Sequence, residues 1–498
     1  MARPVNVHRA AAGAQLLPHG RSFGPLGRDG RPAGRSLPAR PATAAKPVLG
    51  ATATRTGPNT DLRTVRPLTA PTTVDANFNG ITQAGSNCGG CQPPDPNAAV
   101  SPTQIAHVVN LRLQVFNKTG GTLCGVGLNT FIGTSASISD PHIQWDNLNN
   151  RFSLVVIPVP ASTAATPTLF LLTSQTADGC GTWWVYTVTF SGSLYPAGTL
   201  LDYPYLGQDR VALLSSSNNF RRTSTGGFTY INSAVFAIPK SAAYAGAGFS
   251  FSSFAVGFST APVTVTGIPI AATTDTYYLR SIPGTGYQLY RMNNSAGPGT
   301  TLTPLAVASS AFSAPPRRVN QPGTATTLDP LDGRIQAPPF QDEGFVWFTH
   351  AQAIGSFPGV RYGAISVSSN TVTAQNAFRS GTSDDFNPSI GVADAGANVV
   401  YLWLNWAYTD TPAGVPTSNT VDGVTPGGGV PALIGTGLVL ATGSSTSSNT
   451  RFGDLSSVAI DPTAASPTCP AGRTAVTAQE IFQSNGQWIT RIGRLSFC

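Results

Sequence analysis

Six positions along the chain open an apolar run with the same chemistry, an Asp or Asn usually followed by Pro. They are Asp95-Pro96, Asp140-Pro141, Asp202-Tyr-Pro204, Asp329-Pro330, Asn387-Pro388 and Asp454. In a repeating fold, Asp140, Asp202, Asp329, Asn387 and Asp454 would converge on one rim or along a central channel. Convergent carboxylates attract Ca²⁺ or hydroxyl-rich ligands. A cap on a local turn explains each of them as well, because Asp and Asn side chains bond readily to neighbouring backbone groups. We take these five, with His350, as candidate ligand-binding residues. No metal or cofactor is required; Ca²⁺ is the one candidate ion. Asp329-Pro-Leu-Asp332-Gly lacks the alternating ligands of an EF-hand loop.

Signatures of other chemistry are missing. The chain has no G-x-S-x-G, H-E-x-x-H, P-loop or G-x-G-x-x-G, so no catalytic residue is assigned. Of five His, His8 and His19 fall near the N-terminus, and His107, His142 and His350 fall within predicted strands. Three His meeting at an axis would suit zinc; His on isolated strands are ordinarily core or channel-wall side chains. Trp145, Trp183, Trp184, Trp347, Trp403 and Trp406 can stack on sugars and can equally fill sheet cores.

The elements that would carry these residues are short strands. Apolar residues make up 41% of the chain and charged residues only 10%, far fewer charges than an ordinary soluble domain has. Two Glu (Glu343, Glu480) and three Lys (Lys46, Lys118, Lys240) are present, so the residues that build long helices are scarce. The 53 Gly and 41 Pro punctuate the chain instead, which predicts strands joined by many turns. Ile105–Phe116, followed by a turn at 118–121, reads as strands, as do Phe152–Val159, Thr168–Thr173, Trp184–Phe190 and Asn398–Trp406. The openings are separated by 45, 62, 127, 58 and 67 residues, and the gap of 127 holds two units with a hidden opening near Gly267-Ile-Pro-Ile270. Seven units of about 60 residues result, the length of four short strands with loops. We expect an all-β fold: a single β-propeller over residues 71–498 with seven blades (six being the alternative count) of four-stranded antiparallel sheets. A pair of β-sandwiches in which Asp-Pro merely marks turns is the competing architecture.

Residues 1–70 lack apolar periodicity and carry eleven basic and two acidic side chains; we expect a disordered, Pro/Arg/Ala-rich arm. The remaining residues carry eighteen basic and twenty acidic groups, which speaks against nucleic acid as a partner. No apolar run is long enough for a transmembrane segment, and no signal peptide is recognisable. Six Cys in so weakly charged a chain suit an oxidising compartment, outside the cell or at its surface. Cys88-Gly-Gly-Cys91 lacks the second pair that a zinc ribbon needs. Disulfides are expected: Cys469–Cys498 pinning the terminal strand, with Cys88–Cys91 and Cys124–Cys180 beside it.

Thr176-Ala-Asp178-Gly-Cys180-Gly-Thr182-Trp183 is close to the Asp-box pattern S/T-x-D-x-G-x-T-W, a turn between outer blade strands; Cys180 stands where Gly belongs. Together with DPNAAVSPTQIAHVVN, SDPHIQWDNLNNRF, DYPYLGQDRVAL, LDPLDGRIQAPPF, FVWFTH, FNPSIGV, GDLSSVAIDP and WITRIG, this chain resembles a group of uncharacterised secreted β-propeller proteins of bacteria, loosely related to sialidase-type propellers. The resemblance spans residues 90–495 and implies a fold and an extracellular setting, with no activity attached.

Our expectation is a monomeric, non-enzymatic propeller that binds a glycan or protein ligand on one rim. The alternatives are a glycan-active hydrolase or lyase of sialidase-like type and a structural or adhesive surface protein. A sialidase clamps the substrate carboxylate with three Arg and uses a Tyr–Glu pair with an Asp acid. The candidates, Arg210, Arg334 and Arg361 with Glu343 or Glu480, lie on scattered segments. Sialoside hydrolysis is therefore not expected.

Overall fold

Short apolar runs bounded by Gly, Pro, Asn and Asp become seven small sheets in the computed structural model, which describes residues 2–12, 73–265, 276–308, 311–342, 344–394, 400–424, 437–469 and 471–496. Each sheet is one blade of a β-propeller. Blade 1 is Asn97–Val100, Gln104–Val109, Arg112–Asn117 and Thr122–Gly127. Blade 2 is Ile138–Asp146, Arg151–Pro158, Thr168–Ser174 and Thr182–Thr189. Blade 3 is Thr199–Gln208, Ala212–Arg222, Phe228–Pro239 and Ser253–Val256. Blade 4 is Ala261–Pro262, Thr276–Ile282, Gly286–Asn293 and Thr301–Leu305. Blade 5 is Phe340–Asp342, Phe345–Ile354, Phe357–Ser366 and Val372–Ala377, with Thr264–Val265 pairing in parallel beside Phe340. Blade 6 is Asp384–Asp394, Val400–Asp410, Val415–Val424 and Leu438–Ala441. Blade 7 is Ser457–Ile460, Thr474–Phe482 and Trp488–Ser496, completed by Thr73–Thr82.

That last strand closes the ring. Val74 pairs with Leu495, Phe78 with Ile492 and Thr82 with Ile489, so a segment from before blade 1 is stitched to the end of blade 7. The first strand of each blade packs against its neighbours around the axis. Three of these inner strands bulge at an Xaa-Pro step. Asp140 (φ 54°), Tyr203 (φ 54°) and Asn387 (φ 49°) take the left-handed conformation just before Pro, and the ladder slips a register at each. Proline has no N–H for the ladder, so it belongs at a bulge. Asp and Asn tolerate the left-handed region better than other residues; Tyr203 is the exception, held by the packing described below.

The hidden opening expected near 267–270 lies outside the described residues. Blade 4 begins earlier, at Ala261-Pro262, with Ser259 (φ 54°) in the left-handed conformation ahead of it. Serine followed by Thr-Ala-Pro carries no Asp or Asn, so the repeat was not readable there.

The basic arm expected to be disordered over 1–70 departs from that expectation at its start. Arg3–Asn6 adds a fifth strand to blade 2, pairing Pro4 with Trp184 and Asn6 with Thr182. Val7 is fully buried beside Leu128, Phe131 and Trp183, and the Arg3 guanidinium donates to the Ile132 carbonyl. The reason is an open blade edge, whose unpaired N–H and C=O groups accept any extended segment within reach. Residues 13–72 lie outside the described residues. Val7→Asp should lower stability by about 2–3 kcal/mol, from lost apolar burial and an unpaired buried charge. Thermal unfolding of the full chain measures it; an unchanged Tm would mean the segment is dispensable.

Cysteines pair as expected in two cases. Cys88–Cys91, with Cα atoms 5.4 Å apart, lies between the closing strand and blade 1. Cys124–Cys180 (Cα–Cα 6.0 Å) ties the outer strand of blade 1 to the turn before the outer strand of blade 2. Cys469 is disulfide-bonded too, and Cys498 lies outside the described residues. Among the described residues no helix is long and apolar enough to cross a membrane.

Candidate functional site

The openings of the blades do converge, and they form a plug. Asp140 of blade 2 accepts the backbone N–H of Tyr203 in blade 3 (3.1 Å). Asp95, ahead of blade 1, accepts the N–H of Asp454, ahead of blade 7 (3.1 Å). Asn387 of blade 6 donates to the Leu455 carbonyl (3.2 Å). Three of the opening side chains thus grip the backbone of an adjacent blade. Asn110 bridges two of them, donating to Asp95 (2.7 Å) and accepting from the Asp140 N–H (3.0 Å). Tyr203 donates its hydroxyl to the Asp454 carbonyl (2.9 Å), and Gln336 donates to Asn387 (3.1 Å). Three Arg supply positive charge: Arg451 pairs with Asp454, Arg317 with Asp329 at 3.1 Å, and Arg334 with Asp332 at 2.7 Å. The Arg334 guanidinium also lies 4.9 Å from the Tyr203 ring, which helps hold that strained residue.

Of the six candidate ligand residues, Asp140, Asp329, Asn387 and Asp454 therefore meet at the axis, and Asp202 is buried beside Tyr203. All five are closed off from solvent, so the local-capping explanation accounts for their geometry. His350 is elsewhere. It sits inside blade 5, its Nε2 2.8 Å from the Tyr287 hydroxyl, stacked among Phe312 and Phe348. His107 bridges blades 1 and 7 through Asn97 and Thr490. The three His are thus apart. Among the described residues, no three His, Cys, Asp or Glu are grouped as metal ligands.

Burial dominates the electrostatics of the plug. It pushes Asp140 up to about 6, against hydrogen bonds from Ser139 and Tyr203. It pushes Asp454 up to about 7, with Arg451 opposing and the Asp140 and Asp329 charges adding to it. Asp95 and Glu480 are raised well above the usual carboxyl range, again chiefly by burial. A carboxyl whose folded pKa exceeds its unfolded value binds more protons in the folded chain, so its stabilisation is complete in acid and lost as pH rises. Stability should therefore fall between pH ~4 and ~7, by on the order of 1 kcal/mol or more for Asp140 and Asp454 together. Chemical denaturation at pH 5 and pH 8 measures this. Asp454→Asn should flatten the difference; greater stability at pH 8 than at pH 5 would refute it.

Thr176–Trp183 forms the turn its residues predict. Asp178 accepts from the Cys180 N–H (2.9 Å) and the Gln104 side chain (2.9 Å). Trp183 is fully buried and donates to the Gly179 carbonyl (3.0 Å). Asp178 N–H donates to Thr176 (3.2 Å), while Thr182 starts the outer strand.

Below the plug, toward the C-terminal ends of the inner strands, the axis opens into a funnel with about 90 Å³ of room for water-sized centres. Past the bulge at Asp140-Pro141, blade 2 sends His142, Ile143, Gln144 and Trp145 to the funnel wall. His142 forms the floor, 6.0 Å from the Tyr205 ring and 6.4 Å from that of Tyr203. Trp145, Leu206, Gln208, Phe340 and Ile390 complete much of the wall. Gln144 donates to the Gly207 carbonyl (2.9 Å) and Gln208 to the Trp145 carbonyl (2.8 Å). Both amide nitrogens are thereby committed, and both Oε1 atoms are buried without a hydrogen-bond partner. Trp145 Nε1 and His142 Nε2 are likewise unpartnered. Each such buried atom costs roughly 1–3 kcal/mol unless something fills it. Burial lowers His142 to about 3, so its ring is neutral. The sequence had offered His142 for zinc and Trp145 for stacking; Gln144 and Gln208 were missed. The place of Gln144 just past the Asp140-Pro141 step was the available signal.

Among the described residues, the candidate sialidase elements lie apart. Arg334 is in the plug, Arg361 reaches Tyr287 in blade 4, and Arg210 is exposed. Glu480 accepts from the Gly453 backbone, and Glu343 lies outside the described residues.

Seven four-stranded blades around a plugged axis, open as a funnel on one face, define this chain as a seven-bladed β-propeller. No family model and no curated protein matches it. Solved structures resemble it distantly. A cobalt-substituted apocarotenoid oxygenase of Synechocystis is 11% identical, covering 73% of this chain and 76% of its own, with a TM-score of 0.41. An α-L-arabinanase of Penicillium chrysogenum is 9% identical, covering 84% and 98%, with a TM-score of 0.38. A subtype N10 neuraminidase-like protein of A/little yellow-shouldered bat/Guatemala/060/2010 is 10% identical, covering 67% and 96%, with a TM-score of 0.35.

Proposed function

We propose that this protein is an extracellular binding module that receives its ligand end-on in the axial funnel. One observation carries the reading: an open axial cavity lined by Trp145, Leu206, Phe340 and Ile390 together with His142, Gln144 and Gln208. The plug supports a binding role over a catalytic one. Its carboxylates and guanidinium groups are spent on holding blades together, and among the described residues the funnel wall carries no Asp, Glu, Lys or Arg. The disulfides support the extracellular setting, since such bonds persist in oxidising compartments. The test is a combined glycan and peptide array probed with the full chain. A ligand whose signal falls in Gln208→Leu and Trp145→Phe is expected; a ligand indifferent to both, or none, overturns the reading. Turnover of a fluorogenic sialoside, abolished by Glu480→Gln, would promote the hydrolase alternative.

A further inference from the structure

The two described disulfides sit in opposite surroundings. Cys124–Cys180 has a sequence separation of 56, and both its cysteines are buried. Cys88–Cys91 has a separation of 3, so in the chain-entropy model it restrains the unfolded chain far less. Cys88 is buried, but Cys91 is half-buried, and Gly89 and Gly90 between them are exposed. The space beside Gly90 is open, with no atom within 4 Å of where a Cβ would stand. The buried sulfur, by contrast, is surrounded by donors. Cys88 Sγ accepts the backbone N–H of Cys91 (3.1 Å) and lies 2.8 Å from the buried Ser86 hydroxyl. That hydroxyl also reaches the Gln83 carbonyl (2.7 Å). It has one proton to give, and the proton swings to whichever acceptor carries charge. The backbone around the pair is held by bonds that use no sulfur. Trp488 Nε1 donates to the Cys91 carbonyl (2.7 Å), and the Gln83 amide donates to the Gly90 (3.0 Å) and Cys91 (3.2 Å) carbonyls.

We infer that Cys88–Cys91 is a thiol–disulfide exchange site, which opens to a small external thiol while Cys124–Cys180 stays closed. Exchange is governed by access to the attacked sulfur and by how well the leaving sulfur carries charge. Here the two sulfurs divide those tasks. The incoming thiolate bonds to Cys91 Sγ, the more exposed sulfur. The S–S bond breaks, and its electron pair goes to Cys88 Sγ, where the Cys91 N–H and the Ser86 hydroxyl receive it. Such donors hold a charged acceptor much more strongly than a neutral one. A second thiolate then attacks the external sulfur of the mixed disulfide and frees Cys91. Two thiols are thereby oxidised to one disulfide, the protein bond is reduced by two electrons, and the two protons end on Cys88 and Cys91. Trp488 and Gln83 keep the loop in place throughout, so the two sulfurs stay within reach of each other for the reverse reaction. The neighbouring closing strand is joined to blade 7 by its own ladder, so the ring does not depend on the bond.

The experiment equilibrates the full chain, under native conditions, with graded mixtures of reduced and oxidised glutathione. Samples are quenched in acid, alkylated and mapped by peptide mass. Cys88 and Cys91 should become labelled at ratios that leave Cys124 and Cys180 unlabelled. The protein reduced at that one bond should keep its Tm to within about 3 °C, a small shift for a chain of this size. Oxidised glutathione should load Cys91 in the Cys88→Ser variant roughly tenfold faster than it loads Cys88 in Cys91→Ser, because access limits the attack. Ser86→Ala should slow reduction of the wild-type bond by roughly tenfold, the loss of one hydrogen bond to a charged group, with its own Tm unchanged. Reduction of both pairs together, earlier reduction of Cys124–Cys180, or unfolding once Cys88–Cys91 opens would each overturn the exchange site. So would faster loading of Cys88 than of Cys91, or a Ser86→Ala rate equal to that of wild type.

Discussion

Lys240→Met should destabilise the protein by about 3–5 kcal/mol, because it strands a buried carboxylate. Lys240 and Asp146 form an ion pair of 2.7 Å, with side chains only 5% and 3% exposed. Lys240 also donates to the Asp209 carbonyl (2.5 Å), so it joins the blade 2 turn to the blade 3 turn. The same Asp146 oxygen accepts from the Asn149 side chain (2.8 Å) and the Tyr244 hydroxyl (2.8 Å), and its other oxygen accepts the backbone N–H groups of Leu148 (3.0 Å) and Asn149 (3.1 Å). Burial alone would raise Asp146, yet the Lys240 charge and these hydrogen bonds hold it below the usual carboxyl range. A carboxyl so depressed contributes stability above its unfolded pKa and loses it as pH falls through the lower, folded one. The Lys240→Met deficit should therefore shrink in acid, where Asp146 protonates. The double variant Lys240→Met/Asp146→Leu should recover much of the loss, since an apolar pair of similar size is often neutral. Denaturant titration of the three proteins at pH 7 decides it. A single variant within 1 kcal/mol of wild type would show that water compensates the carboxylate.

Replacing Cys124 and Cys180 together with Ser should cost about 4 kcal/mol in the chain-entropy model for a loop of this length. The bridge spans 56 residues of sequence and fastens two blades at their outer edges, where inner-strand contacts do not reach. Both sulfur atoms are buried in the cluster that includes Val115, Phe152 and Trp183, so the loss includes packing. Asp178 should still cap the turn, because its bond to the residue-180 N–H uses backbone alone. The readout is the unfolding midpoint of the double variant under oxidising conditions. A shift of less than 1 kcal/mol would mean that the neighbouring contacts hold the blades without the bond.

The repeat was legible because the same physical problem recurs at each blade. An inner strand must turn onto the axis at a proline, and Asp or Asn before it both tolerates the left-handed bend and bonds to the next blade. Where another residue solves that problem the signal vanished: Ser259 opens blade 4, and Tyr203, one residue after the expected Asp202, takes the bend in blade 3. The candidate site was half legible. Asp140, Asp329, Asn387 and Asp454 were rightly placed together, but whether a convergent carboxylate faces solvent or a buried Arg depends on pairing across hundreds of residues, which local pattern does not carry. The funnel glutamines were invisible for a related reason. Their meaning comes from which amide end is already bonded, and that bond is to a neighbouring blade. The added strand Arg3–Asn6 escaped notice because its apolar content is small; the edge it covers supplied the reason for it to order.

The closing strand has a consequence for synthesis. Thr73–Thr82 leaves the ribosome about 400 residues before its partner Trp488–Ser496. At roughly 5–20 residues per second, translation of the intervening ~400 residues takes on the order of 20–80 s. For that time the ring is an open stack of blades, with an unpaired edge at blade 1 and a loose strand in front of it. The loose strand is built to wait. Asp75, Asn77 and Asn79 alternate with the residues that later pack, and polar side chains of this kind discourage pairing with a stranger's edge. Once blade 7 emerges, the same groups find their partners. Arg491 takes Asn77 and Asn79 at 2.6 Å each, and Ser496 takes Asp75 at 3.0 Å. The residues that keep the nascent chain apart from its neighbours are the ones that lock the finished ring.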